Sequence, residues 1–146
     1  MNSVGIDVSK GRSTVAVMRP FGEVVISPFE VRHTNSELSA LARLLKSLDG
    51  ETRVVMEATE NYHTPVAKVL HDARLYVSVV HAKLIHGYGN NDLRRVKTDR
   101  KDAVKPANYG LNRWLTLPRY FPEEDTRLLL KTATASTSSI LRYKQF

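Results

Sequence analysis

The chain has 146 residues, 42% hydrophobic and 25% charged, the composition of one ordinary globular domain with a core of its own. Its formal net charge is +7 and it has no cysteine, which excludes disulfides and thiolate zinc sites and favours a polyanionic partner, nucleic acid first. No apolar run approaches the ~20 residues of a membrane span and no signal-peptide pattern opens the chain, so a cytoplasmic protein with no membrane partner is expected.

Residues 3–10, Ser3-Val4-Gly5-Ile6-Asp7-Val8-Ser9-Lys10, read as a first strand that carries one acid, Asp7. An aspartate in a core strand has two readings. Either it ends the strand and caps the turn toward Gly11, or it sits in a metal site to which other carboxylates converge. Ser13 to Met18 and Glu23 to Ile26, the latter extending to Val31, read as two more strands separated by short turns, an antiparallel meander. Thr34-Asn35-Ser36-Glu37 matches a capping box, with Glu37 reaching back to Thr34, and Leu38, Leu41, Ala42, Leu45 and Leu48 fall on one helical face. Asp49-Gly50 stops that helix. Arg53-Val54-Val55-Met56-Glu57 reads as a strand buried on both faces that ends in a second acid. Thr64-Pro65 predicts a cap followed by first-turn proline, and Val66, Val69, Leu70 and Ala73 form the stripe of the helix behind it. Tyr76 to Val80 gives a fifth strand, so the whole predicts a mixed five-stranded sheet flanked by helices. A short helix and loop are expected over 81–91. Thr98 can cap a helix beginning at Asp99, which Pro106 should kink or end one turn after Asp102. Trp114 to Pro118 predicts a packed loop, and the chain closes in a helical segment that ends as if cut within an element.

Four carboxylates stand out in this order: Asp7, Glu57, Asp99 and Asp102. The last two are three apart and share a helix face. Magnesium and similar hard ions take one or two carboxylates plus water and substrate phosphate. Two such ions about 3.5–4 Å apart can clamp both oxygens of a phosphodiester exchange. Arg94, Arg95, Lys97, Arg100, Lys101 and Lys105 surround the acidic pair, and Lys10 follows Asp7, as expected where a polyanion and cations share a site. Taken singly, each has an ordinary reading: a solvated helix face, a basic surface, a turn cap.

Three motifs carry a resemblance. Gly5-Ile6-Asp7-Val8-Ser9-Lys10, then Met56-Glu57-Ala58-Thr59 with Tyr62, then Lys97-Thr98-Asp99-Arg100-Lys101-Asp102-Ala103 resemble, in order and spacing, the acidic motifs of the IS110-type DEDD transposases. The resemblance spans nearly the whole chain. It implies an α/β ribonuclease H-like (RuvC-like) fold over residues 1–118, with the start of a coiled-coil linker over 119–146. It further implies a strand-transfer site for DNA in which Asp7, Glu57, Asp99 and Asp102 bind Mg2+, with Mn2+ as the alternative ion. Lys10, Arg94, Arg95, Lys97, Arg100 and Lys101 are then candidates for nucleic-acid contact. A guide RNA and a homo-oligomer are implied partners. Family members continue into a second domain with a catalytic serine, to which nothing here corresponds, and Ser136, Ser138 and Ser139 are not candidates for that role. Two positions depart from the pattern: Glu60 stands where glycine is usual, and Pro106 interrupts a helix that normally runs on.

Two rival readings remain beside the recombinase. One is a truncated member that binds nucleic acid without chemistry. The other is an actin-like phosphotransferase, which needs a second glycine-rich phosphate loop that Asp49-Gly50 does not supply. The histidines, His33, His63, His71, His81 and His86, lack HExxH spacing and read as surface or loop residues, with His63 closest in sequence to Glu57. Tyr88, Tyr109, Trp114, Tyr120 and Phe121 are candidates for stacking on bases or for core packing.

Overall fold

A computed structural model describes residues 1–87 and 102–122. Asp99, Arg94, Arg95, Lys97, Arg100, Lys101 and the expected Thr98 cap lie outside the described residues, as does the segment beyond Pro122.

Alternation along β1 (Asn2–Val8) sends Val4, Ile6 and Val8 into one core and leaves Ser3, Gly5 and Asp7 for the opposite face. The expected meander is present: β1 pairs antiparallel with β2 (Arg12–Arg19), and β2 with β3 (Glu23–Arg32). β4 (Thr52–Glu57) then returns parallel to β1, and β5 (Tyr76–Val80) runs parallel to β4. The strand order is β3-β2-β1-β4-β5, so the longest-buried strands stand in the middle. Asp7 lies inside β1, opposite Thr14, so the strand does not stop at it. The turn that follows is closed by the Ser9 amide donating to the Arg12 carbonyl, with Gly11 at φ +78°.

One face of the sheet is covered by α1 (Asn35–Lys46) and α2 (His63–Asp72). Leu38, Leu41, Ala42 and Leu45 of α1 are buried as the periodicity predicts, and Val66, Ala67 and Leu70 of α2 join them against Val4, Ile6, Val54, Met56 and Val77. Burial of side chains of this size is worth roughly 1.5–3 kcal/mol each. Two cap expectations are corrected. Thr34 does accept from the Glu37 amide at 3.2 Å, but the Glu37 carboxylate takes the Arg32 amide at 3.1 Å rather than closing a box on Thr34. The entering strand offers an unpaired N–H that the carboxylate reaches. Thr64 is already inside α2, whose cap position is Tyr62 and has no side-chain cap bond. Instead, the Thr59 amide donates to His63 Nδ1 at 3.1 Å, and this bond closes the loop ahead of the helix.

The other face carries α3 (Ala82–Gly87) and α4 (Val104–Asn112) around Val55, Val80, Ile85 and Leu117. Asp102 is helical, Ala103 keeps right-handed helical angles (φ −72°, ψ −24°), and α4 runs from Val104 through Pro106 to Asn112, so Pro106 does not end the helix as expected. Pro106 has no N–H for the Asp102 carbonyl, and in the first turn of α4 that loss is tolerated. α4 lies almost directly on β1. Ser3 Oγ donates to the Ala107 carbonyl at 2.6 Å. A Cβ on Gly5 would collide with the Ala103 carbonyl and sit 2.5 Å from the Ala107 amide. A Cβ on Gly110 would meet Ser3 Oγ and lie 2.7 Å from Val55 Cγ2.

Beyond α4, a 3-10 turn (Trp114–Thr116) and residues 117–121 follow the free edge of β5. Tyr76 donates through its hydroxyl to the Leu117 carbonyl at 2.6 Å, and the Tyr120 amide donates to the Val77 carbonyl at 2.7 Å. The Arg53 guanidinium lies 4.3 Å from the Tyr76 ring centre and 4.7 Å from that of Trp114, and it donates to the Trp114 carbonyl. Trp114, Tyr120 and Phe121 are thus used in packing. Phe121 and Tyr120 stand edge-on to His71, which is a packed residue and not the free surface histidine expected.

His33 closes the β3–α1 junction, its Nε2 2.7 Å from Ser13 Oγ. Burial pulls its pKa below the usual histidine value. Below about pH 6.5 the unfolded chain therefore binds more protons than the folded one, so stability present above that pH is lost on acidification toward the folded pKa. His33→Asn should flatten the difference in melting temperature between about pH 7.5 and about pH 5. Gly5→Ala should cost about 3 kcal/mol or more in a urea melt, since the methyl meets helix backbone that cannot rotate aside.

Candidate metal centre

Asp7 and Glu57 come together through sheet register. β1 and β4 pair in parallel with Ile6 opposite Met56, and the next residue on each strand is the acid. Both therefore emerge at the same end of neighbouring strands, on the face that α4 covers, where adjacent strands are about 4.8 Å apart. Asp102 arrives from the other direction, one residue before the Ala103 cap position of α4. The close seat of α4 on Ser3 and Gly5 places it beside Asp7.

The three acids line one cleft of about 240 Å³ together with Ile6, Val8, Thr59, Ile85, His86, Lys105 and Pro106. Glu57 is only 23% exposed along its side chain, and its Oε2 is 3.0 Å from His86 Nε2. Lys105 brings a positive charge to the acidic wall. Lys10 is exposed on the turn that follows β1, at the same end of the sheet. Three of the four predicted acids are thus in one place, whereas Asp99 is outside the described residues. His63, the histidine nearest Glu57 in sequence, does not line this cleft; its ring holds the Thr59 backbone.

His86 is the residue that sequence reasoning missed. It belongs to no spacing motif. A signal was present in the topology: Glu57 and Val80 are register partners and the Ala58 amide donates to the Val80 carbonyl, so whatever follows β5 must emerge beside Glu57. α3 follows at once. Its Ile85 is buried in the smaller core, and that anchorage sets His86 at the cleft.

A hard divalent cation suits this donor set. Among the described residues no three His, Asp or Glu side chains converge tightly enough to ligate one ion by themselves. Magnesium and manganese need only one or two carboxylates, completed by water and phosphate oxygens. Thr59 also lines the cleft, and its Oγ1 is buried with no hydrogen-bond partner among the described residues.

A mixed sheet with three antiparallel strands, two parallel returns and acids at the ends of its central strands defines a ribonuclease H-like, RuvC-like fold. The Thermus thermophilus RuvC structure superimposes with a TM-score of 0.57 at 13% identity, covering 82% of this chain and 100% of that one. The T. thermophilus RuvC in complex with a Holliday junction substrate gives the same TM-score at 12% identity, covering 82% and 99%. No curated protein matches the chain. The transposase family model DEDD_Tnp_IS110 matches residues 4–143, and the chain belongs to that family. No helix among the described residues is long and apolar enough to cross a membrane.

Glu60, the departure beside the site, has φ +25°. A left-handed backbone costs an L-residue about 1–2 kcal/mol, and the extra unfolded-state freedom of glycine takes back roughly 0.5–1 kcal/mol. Glu60→Gly should therefore stabilise the chain by up to about 1 kcal/mol, read from its urea midpoint.

Proposed function

We propose that this chain is the metal-binding catalytic part of a DNA transposase. Asp7, Glu57 and Asp102, with Asp99, hold Mg2+ or Mn2+ for DNA strand cleavage and exchange. The observation that carries the reading is the meeting of three acids from positions 7, 57 and 102 in one cleft, on a fold shared with RuvC, one of whose structures is in complex with a Holliday junction substrate.

The bound ions would supply charge neutralisation at the phosphodiester and activation of its attacking oxygen. The protein's own groups hold and orient. Glu57 is fixed by His86, and Asp102 is set by the seat of α4 against β1. Lys105 lines the cleft beside the acids, and it would contact a backbone phosphate together with Lys10, Arg94, Arg95, Lys97, Arg100 and Lys101. A guide RNA and assembly of several copies belong to the same reading, as does a linker beginning at residue 119 that leads toward a serine-bearing domain.

Asp7→Ala and Asp102→Ala should each weaken Mn2+ binding at least ~10-fold in calorimetry and abolish transposition by the full-length transposase. Apo stability should change by less than about 1 kcal/mol or rise, because each variant removes charge from a crowded acidic site. Unchanged Mn2+ affinity in both variants, or transposition by either, overturns the assignment. A chain that binds DNA yet takes up no ion even with DNA present is the non-catalytic, nucleic-acid-binding form.

A further inference from the structure

The contact between His86 and Glu57 has the dimensions of a metal edge. Two ligands at right angles on an octahedral ion, each about 2.1 Å from it, lie about 3.0 Å apart. His86 Nε2 and Glu57 Oε2 are 3.0 Å apart. The ring is 57% exposed, so its outer side is open to an ion or to solvent, while Glu57 is mostly covered. The helix that carries the ring is anchored, because the adjacent Ile85 is 2% exposed in the smaller core and fixes α3 against the sheet. The pair faces the same cleft as Asp7 and Asp102.

We propose that His86 is itself a ligand, through Nε2, of the ion that Glu57 holds, and that it tilts this position toward manganese over magnesium. The inference rests on the metal-site reading above. In the metal-free chain Nε2 and Oε2 are within hydrogen-bond distance. A ring that ligates through Nε2 presents a bare nitrogen there, so any proton on Nε2 goes to Nδ1 or to solvent. Imidazole nitrogen is a good donor to transition metals and a poor one to magnesium, which prefers an all-oxygen shell. A site of carboxylates plus one imidazole therefore favours Mn2+, where a purely carboxylate site would distinguish the two ions weakly.

The test is pulsed electron paramagnetic resonance on the 146-residue chain loaded with Mn2+ alone. The expected result is nitrogen modulation of the manganese echo that changes pattern in protein carrying ¹⁵N-histidine and disappears in His86→Gln. Calorimetry on the same proteins should show His86→Gln losing about 10-fold or more in Mn2+ affinity and less than about 3-fold in Mg2+ affinity. His86 is exposed and the variant should fold. The isotope experiment needs no variant at all. Bound manganese without nitrogen modulation, modulation that persists in His86→Gln, or equal losses for the two ions overturns the proposal and leaves the carboxylate site standing. A wild-type chain that binds no manganese removes both.

Discussion

The site depends on how near one helix backbone can come to one strand. α4 rests on β1 with no side chain between them at Gly5, and the serine that remains, Ser3, is used to bond the helix's own carbonyl. Any larger residue at position 5 would lift the helix. Asp102 sits just ahead of that helix and Asp7 two residues along the strand from Gly5. A displacement of the helix is therefore a displacement of one acid from the other. Fold stability and site geometry are here one constraint, because the contact that seats α4 on β1 also positions Asp102 relative to Asp7.

Electrostatics explain why so acidic a cleft persists in a chain of net charge +7. Carboxylates gathered in one place repel, and each is held by something other than the ion. Asp7 and Glu57 are fixed by strand pairing, and Asp102 stands just ahead of α4, which is seated on Ser3 and Gly5. Lys105, at the same wall, relieves part of the repulsion.

Much of this was legible in the sequence because it rests on short-range periodicity. The five strands, the order of the meander and the buried face of α1 follow from alternation and from the Leu38, Leu41, Leu45 spacing. Asp7 and Glu57 could be singled out in advance because each is an acid within or at the end of an otherwise apolar strand. Details that depend on who is nearby in space were not legible. Glu37 prefers the Arg32 amide to the Thr34 amide because the incoming strand happens to present it. Thr64 loses the cap role because His63 already closes the loop on Thr59. His86 had no motif to mark it, and its place follows only once β4 and β5 are known to be parallel neighbours. The motif that carried the family resemblance furthest, around Asp99, falls where the described residues stop.

Trp114 is the one tryptophan of the chain, and it is stacked on a guanidinium at the end of the sheet remote from the acids. Its indole is thus a built-in optical reporter of whether the strap after α4 stays fastened along β5. Because cations are quenchers only at short range, occupancy at the acidic end should leave its emission unmoved, whereas release of the strap would change the colour of that single fluorophore.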